Sequence, residues 1–392
     1  MKVKSLSIED VGGVQSLHLR FTENLNLICG PNGVGKTTIL DCIGQSFSVS
    51  SASFPRRNSR REQGTWTIVV DDRGQERPLT YNLTNYHPGE QSPGATFREL
   101  ARHVLTFKTH RTFDYQPLQS VNRDADRNDH TVGMGVWQGV VPADIKSWFV
   151  NRYMWSAHAD RLTPEQVHNF GLAQQCFQVV EETITFSRVI PDTFEIQVDT
   201  PRGEIYFEYL SAGYKSVLAV LLGLIKEIEL RYKDPRIKVD DFDGVILIDE
   251  IDLHLHPEWQ SRLIQSMKKL VPHAQIIATT HSPHMVQVAA PNEILPLGYD
   301  NLNEVCLRDV PAGEFGYQGW TVDEILVEVM GLKETTSEIY RQALEGFNAA
   351  VEAEDPESAM GYHEQLDKML HPANPLRKLL KLQLASIGDA ND

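Results

Sequence analysis

Residues Gly30–Thr37 read GPNGVGKT, set between the apolar run Leu25–Cys29 and the helix-compatible stretch Thr38–Ile43. Strand, glycine-rich loop and helix in that order are the context a phosphate-binding loop requires. Gly30, Gly33 and Gly35 let the main chain approach a ligand with no Cβ in the way. The N–H groups of Asn32 to Lys36, with the positive end of the following helix, then point at a β-phosphate. Lys36 is expected to reach the β- and γ-phosphates and the Thr37 hydroxyl to ligate Mg²⁺. The candidate nucleotide contacts are Gly30, Pro31, Asn32, Gly33, Val34, Gly35, Lys36, Thr37 and Thr38, with ATP and Mg²⁺ as the expected ligands.

Three further segments follow in the order of a nucleotide hydrolase: LSAG at Leu210–Gly213, VILIDE at Val245–Glu250 and TTHS at Thr279–Ser282. Val245–Ile248 and Ile276–Ala278 are short apolar runs of the kind that form fully buried parallel strands. Ligands of such sheets sit beyond the carboxyl ends of the strands, so Asp249, Glu250 and His281 are expected to converge on the phosphate loop. Asp249 is the candidate Mg²⁺ residue and Glu250 the group that orients or deprotonates the attacking water; His281 would bridge that water and the γ-phosphate. The predicted catalytic set is therefore Glu250, His281 and Lys36, with Thr37 and Asp249 as metal residues. Ser211 stands at the start of a predicted helix, Ser211–Arg231, where its hydroxyl and the free N–H groups can receive a phosphate.

Composition bounds the rest. The 392-residue chain carries a formal charge of −16, which disfavours a protein that coats nucleic acid. A local basic stretch, PRRNSRR with Arg56, Arg57, Arg60 and Arg61, reads mainly as a solvated loop and secondarily as a nucleic-acid or partner contact. Four scattered cysteines fit reduced cytosolic thiols, and His254 and His256 in IDLHLHP lack the further ligands that a metal site needs. With no long apolar segment, the expectation is a cytoplasmic protein without membrane attachment.

Strands are predicted at residues 3–9, 17–21, 65–70, 79–83 and 104–107. A hairpin of Phe194–Val198 and Glu204–Tyr209 leads to Ser211. The aromatic residues Trp137, Trp148, Phe149, Tyr153 and Trp155 read as core of a helical segment more readily than as a base-stacking surface. Beyond about residue 300 the pattern turns helical, broken at Asp355-Pro356. No heptad repeat persists long enough for a coiled-coil arm. The predicted organisation is an α/β core at 1–45 and 205–300, a globular insertion and helical subdomain at 46–204, and a C-terminal helical region at 301–392.

LSAG resembles the signature motif of ABC-type ATPases, and the four segments together cover the nucleotide core of that superfamily in its order. The resemblance implies an ABC-type P-loop ATPase head with a mixed β-sheet. It also implies that Ser211 and Gly213 serve the ATP of an opposing copy, so that two chains close head to tail, as a dimer or within a higher oligomer. Asp252–Pro257, DLHLHP, occupies the place of the D-loop and is similar to the OLD, RecF and related defence ATPases rather than to transporters, although His256 stands where those have Asp. The superfamily's Q-loop glutamine has two candidates, Gln116 and Gln119. The segments GWTVDEILVEVMGL (319–332) and HPANPLRKLLKLQLA (371–385) resemble the ATPases of Septu anti-phage systems and their retron-linked relatives. That resemblance implies an HNH nuclease partner, with nucleic acid met through the complex; because the residues after His281 read as helices with no strand-borne acidic cluster, no nuclease centre is expected in this chain. The competing expectation is a RecF-like repair ATPase that clamps DNA.

Overall fold

The computed structural model describes residues 1–49, 55–90 and 97–388, apart from 112, 114, 122, 123, 125 and 159. Its central sheet follows from the apolar runs. Strands β3 (Leu25–Cys29), β6 (Val104–Phe107), β10 (Val245–Ile248), β11 (Gln275–Thr279) and β12 (Ile294–Tyr299) are all but wholly buried, as strands covered on both faces must be. With β13 (Val305–Leu307) they form a six-stranded sheet in the order β13-β12-β3-β11-β10-β6. Every pairing is parallel except that of β13, which lies antiparallel at the edge.

A second, antiparallel sheet has the order β2-β1-β4-β5, built from β1 (Lys2–Val11), β2 (Val14–Arg20), β4 (Gly64–Asp72) and β5 (Gln75–Leu83). Along β4 burial alternates residue by residue, the mark of a sheet with one covered face. One buried side chain clips the two sheets together: Gln275 accepts from the Val3 N–H at 2.7 Å and donates to the carbonyls of Val3 and Thr22 at 2.8 and 2.7 Å.

Between the sheets' strands run α1 (Lys36–Gln45), α2 (Asp129–Gln138), α3 (Ala143–Ser156) and α4 (Pro164–Gln175). A small sheet, β7 (Thr185–Val189), β8 (Ile196–Thr200) and β9 (Gly203–Tyr206), includes the predicted hairpin and delivers the chain to α5 (Ala212–Arg231), capped by Ser211. Two short helices follow, α6 (Pro257–Leu270) and α7 (Pro283–Val288). Trp148 and Phe149 are core residues, whereas Trp155 is 44% exposed.

The chain divides into two compact units, Met1–Gly331 and Leu332–Asp392. The segment after residue 300 therefore opens with β13 and a π-type turn at Ile325–Val329, both within the first unit. A three-residue strand is too short to show a period of two. The second unit is helical: Glu338–Glu352, Pro356–Met369 and Leu376–Gly388 enclose Ala343, Phe347, Ala359, Leu366 and Leu380. Among the described residues no helix is long and apolar enough to cross a membrane.

Candidate functional site

Because β3, β11, β10 and β6 are parallel neighbours, their carboxyl ends share one edge of the sheet, and every predicted site segment except LSAG begins there. The loop leaving β3 turns on glycines at positive φ: Gly30 at 143°, Gly33 at 79° and Gly35 at 99°. A Cβ on Gly30 would lie 2.5 Å from the Leu297 carbonyl oxygen, so only glycine fits there. Gly35 caps α1 without a side-chain hydrogen bond, which leaves the first-turn N–H groups available to an anion. Lys36 is buried, and its ammonium donates to the carbonyls of Gly30 and Pro31 at 2.8 and 3.0 Å. Burial lowers its pKa, opposed by the thiol of Cys29 and the carboxylates of Asp249, Glu250 and Asp252. Asn32, Gly33 and Thr37 are exposed, Thr38 half-buried and Val34 fully inside.

The Thr37 hydroxyl donates to both carboxylate oxygens of Asp249, at 3.2 and 3.3 Å, across 212 positions of sequence. Thr279 completes this cluster. Its hydroxyl donates to Asp249 Oδ1 at 2.7 Å and accepts from the Glu250 N–H at 2.7 Å, fixing both acids from the neighbouring strand. Glu250 sits at φ +50°, a left-handed conformation that costs a non-glycine residue about 1 kcal/mol. Asp252 accepts from the Thr280 hydroxyl at 2.7 Å and from the His281 N–H at 3.1 Å, thereby setting the backbone that presents His281. His281 is exposed; partial desolvation, with Lys36 nearby, lowers its pKa against the opposing pull of Asp252, Glu250 and Asp249 and favours the neutral imidazole.

Sequence reasoning gave Thr279 and Asp252 no role beyond membership of the TTHS and DLHLHP segments, and Arg111 none. Arg111, just beyond β6, is 3% exposed; Nε donates to the Lys108 carbonyl at 2.9 Å and Nη2 to the Asp249 carbonyl. Burial pulls its pKa down to about 10, still protonated at neutral pH. The Q-loop candidates Gln116 and Gln119 are exposed, and the Gln116 carbonyl faces Lys146 Nζ at 3.5 Å.

LSAG lies apart from this cluster. Ser211 is exposed at the N-terminus of α5 and accepts from the Tyr214 N–H at 3.2 Å. Gly213 is pressed against the 252–257 loop: a Cβ there would stand 2.5 Å from the His254 carbonyl oxygen. Ser216 donates to the Leu253 carbonyl at 3.3 Å. Among the described residues no hydrogen bond joins Leu210–Gly213 to Gly30–Thr38.

The donor set suits Mg²⁺ and a polyphosphate. One hydroxyl and one carboxylate already oriented together, Thr37 and Asp249, are the partial protein shell that a Mg²⁺ ion takes when phosphate oxygens and water supply the rest. Among the described residues no group of three or more His, Cys, Asp or Glu could hold a metal unaided. His254 and His256 form no such set. In the basic stretch, Arg56 donates to the Tyr86 and Pro88 carbonyls at 2.9 Å each and Arg57 to the Thr84 carbonyl at 3.0 Å. Those two arginines clamp a neighbouring loop through bonds that stay exposed, and Arg60 and Arg61 are the more open half of the stretch.

A phosphate loop, an acid-ended central strand and a His-bearing strand on one mostly parallel sheet, beside an antiparallel sheet, define the α/β fold of an ABC-type P-loop ATPase. The family models and the relatives agree. A family described as "AAA domain" matches residues 5–113, and one described as "AAA domain, putative AbiEii toxin, Type IV TA system" matches residues 139–286. Septu protein PtuA of Bacillus thuringiensis is 46% identical, over 98% of this chain and 98% of its own length, and the chain therefore belongs to the Septu PtuA family. A Septu protein PtuA of Bacillus mycoides (strain KBAB4) is 28% identical over 72% of this chain, which spans 38% of that longer protein. The SMC head domain from Thermotoga maritima gives a TM-score of 0.43 at 15% identity, covering 80% of this chain and 100% of that one.

Proposed function

We propose that this chain is the ATP-hydrolysing subunit of a Septu-type anti-phage defence complex, in the cytoplasm, and that it controls a partner HNH nuclease. The observation that carries the reading is the Thr37–Asp249–Thr279–Glu250 cluster placed beside the phosphate loop. Gly30 to Thr38 bind the phosphates through main-chain N–H groups and the Lys36 ammonium. Mg²⁺, held by Thr37 and Asp249, would neutralise charge on the β- and γ-phosphates. Glu250 accepts the proton of the attacking water, and His281, neutral at physiological pH, orients that water by hydrogen bonding. Ser211 and Gly213 serve the nucleotide of a second copy, so that two chains close head to tail. The exposed Ser211 hydroxyl at a helix N-terminus, lying apart from the chain's own phosphate loop, supports this trans arrangement. The want of a nuclease centre in this chain is part of the same proposal, as is the reading of 46–204 as an insertion, here one that returns β4, β5 and β6 to the two sheets, and of the helical tail, which as a separate unit begins at Leu332.

Mass measurement with and without ATP tests it. Glu250→Gln should bind ATP, fail to hydrolyse it and accumulate as a dimer or larger species, whereas Lys36→Ala should stay in its nucleotide-free state. Co-purification with a neighbour-encoded HNH protein tests the partner, and repeated failure to recover that complex counts against the defence role. The RecF-like alternative would gain ground if ATP-dependent, salt-sensitive DNA binding were found and lost on neutralising Arg56, Arg57, Arg60 and Arg61.

A further inference from the structure

Arg111 is anchored at two of its three guanidinium nitrogens, to the carbonyls of Lys108 and Asp249, while Nη1 is buried and reaches no acceptor among the described residues. The charge is faced by Asp249, Asp252 and Glu250 without an ion pair to any of them. Buried guanidinium nitrogens are normally satisfied, and one left open at the edge of a site calls for an acceptor that arrives with a ligand. Arginine suits this division of labour, because its rigid fork can hold main chain with one arm and present the other. Lysine could not do both.

Resting on the nucleotide reading above, we propose that Nη1 of Arg111 donates to the γ-phosphate of ATP bound at Gly30–Thr38, so that Arg111 distinguishes triphosphate from diphosphate. Its second arm grips the Asp249 carbonyl, immediately before Glu250, and so ties recognition of the γ-phosphate to the placement of the hydrolytic carboxylate. The residue reaches the sheet edge only because β6 pairs with β10, a contact between segments some 140 positions apart in sequence.

The test is the affinity of the full-length chain for ATP and for ADP, measured by calorimetry in the Glu250→Gln background with Arg111, Arg111→Met and Arg111→Lys. The Met variant is expected to weaken ATP binding by about tenfold or more while ADP binding stays within about twofold; with Glu250 intact, turnover should fall by about 100-fold, the usual effect of removing one charged donor. The Lys variant keeps the charge at the site but loses the fork, so it should show a smaller loss that is still confined to ATP. Should the Met variant fail to fold, the Lys variant decides. Equal losses for ATP and ADP, or no loss for either, would overturn the proposal and leave Arg111 as a prop for the Asp249 main chain. Failure of the Arg111 parent to bind either nucleotide would instead sink the reading of the whole site, and this proposal with it.

Discussion

Thr279→Val exchanges a hydroxyl for a methyl at almost constant volume in a fully buried position, so it separates hydrogen bonding from packing. The hydroxyl makes two bonds of 2.7 Å, one to the Asp249 carboxylate and one from the Glu250 N–H. A bond to an ionised group contributes about 1.5–3 kcal/mol and a neutral one about 0.5–1.5 kcal/mol, so their loss should destabilise the fold by roughly 2–4 kcal/mol. Glu250 is also held in its left-handed conformation partly by that N–H bond, and releasing it lets the carboxylate move. A displacement near 1 Å at a reacting group costs about 100-fold in rate. The assay is urea unfolding followed by tryptophan fluorescence, paired with phosphate release. All six tryptophans lie before residue 332, so the signal reports the Met1–Gly331 unit alone. ATP affinity should change little, since Lys36 and the loop N–H groups are untouched, and Thr279→Ser should recover most of both losses. An unfolding free energy within about 0.5 kcal/mol of the wild type together with unchanged turnover would refute the reasoning, as would a Ser variant as impaired as the Val variant.

Three further outcomes follow from buried groups. Gly30→Ala places a methyl 2.5 Å from the Leu297 carbonyl at φ 143°, and should cost about 2–4 kcal/mol and abolish ATP binding, measured by melting with and without nucleotide. Glu229 receives Arg152 Nε and Trp148 Nε1 with only 3% of its side chain exposed; Glu229→Ala leaves the Arg152 charge without its most buried partner and should lower stability by about 3–5 kcal/mol in the same urea assay. Burial holds His103 down to about 4, where its Nδ1 lies 2.7 Å from the Tyr232 hydroxyl. Because the unfolded imidazole binds its proton near pH 6.5, the unfolded state is favoured as pH falls from about 6.5 to 4, and about 2–3 kcal/mol of stability should be lost across that window. His103→Gln should flatten that dependence in urea midpoints taken between pH 7 and 4.

What was legible in the sequence was what is local. β10 occupies Val245–Ile248, the residues of the apolar run, and Ser211 caps α5 as its place before a helical pattern predicts. Thr37, Asp249, Glu250 and His281 each lie within a short stretch whose spacing reports their position at a strand end or helix start. Arg111 and Thr279 acquire meaning only through strand pairing. β6 lies beside β10 and β11 beside β10 on its other side, and nothing in the spacing of THRTF or TTHS states those neighbours. Gln275, buried in a strand otherwise apolar, is equally opaque until β1 is seen against it. β13 escaped because three residues carry no periodicity. Arg56 and Arg57 lie at the surface as read, but their partners are main-chain carbonyls, which no side-chain pattern can reveal.

One loop joins the two groups of residues proposed to contact nucleotide. Asp252 holds the segment that carries His281, Leu253 accepts from Ser216 on α5, and the His254 carbonyl fills the space that a side chain on Gly213 would need. Three consecutive residues therefore connect the phosphate-side histidine to the helix that bears Ser211, with no slack at Gly213 and with His254 itself at φ +63°. Packed interiors deform as units rather than continuously, so under the proposed function a shift at His281 on loss of the γ-phosphate would be felt at the start of α5 through these contacts. With two copies closed head to tail as proposed, the α5 N-terminus faces the other copy's nucleotide. Hydrolysis in one site would then loosen the grip on the second, and a partner bound across both copies would sense the pair opening together.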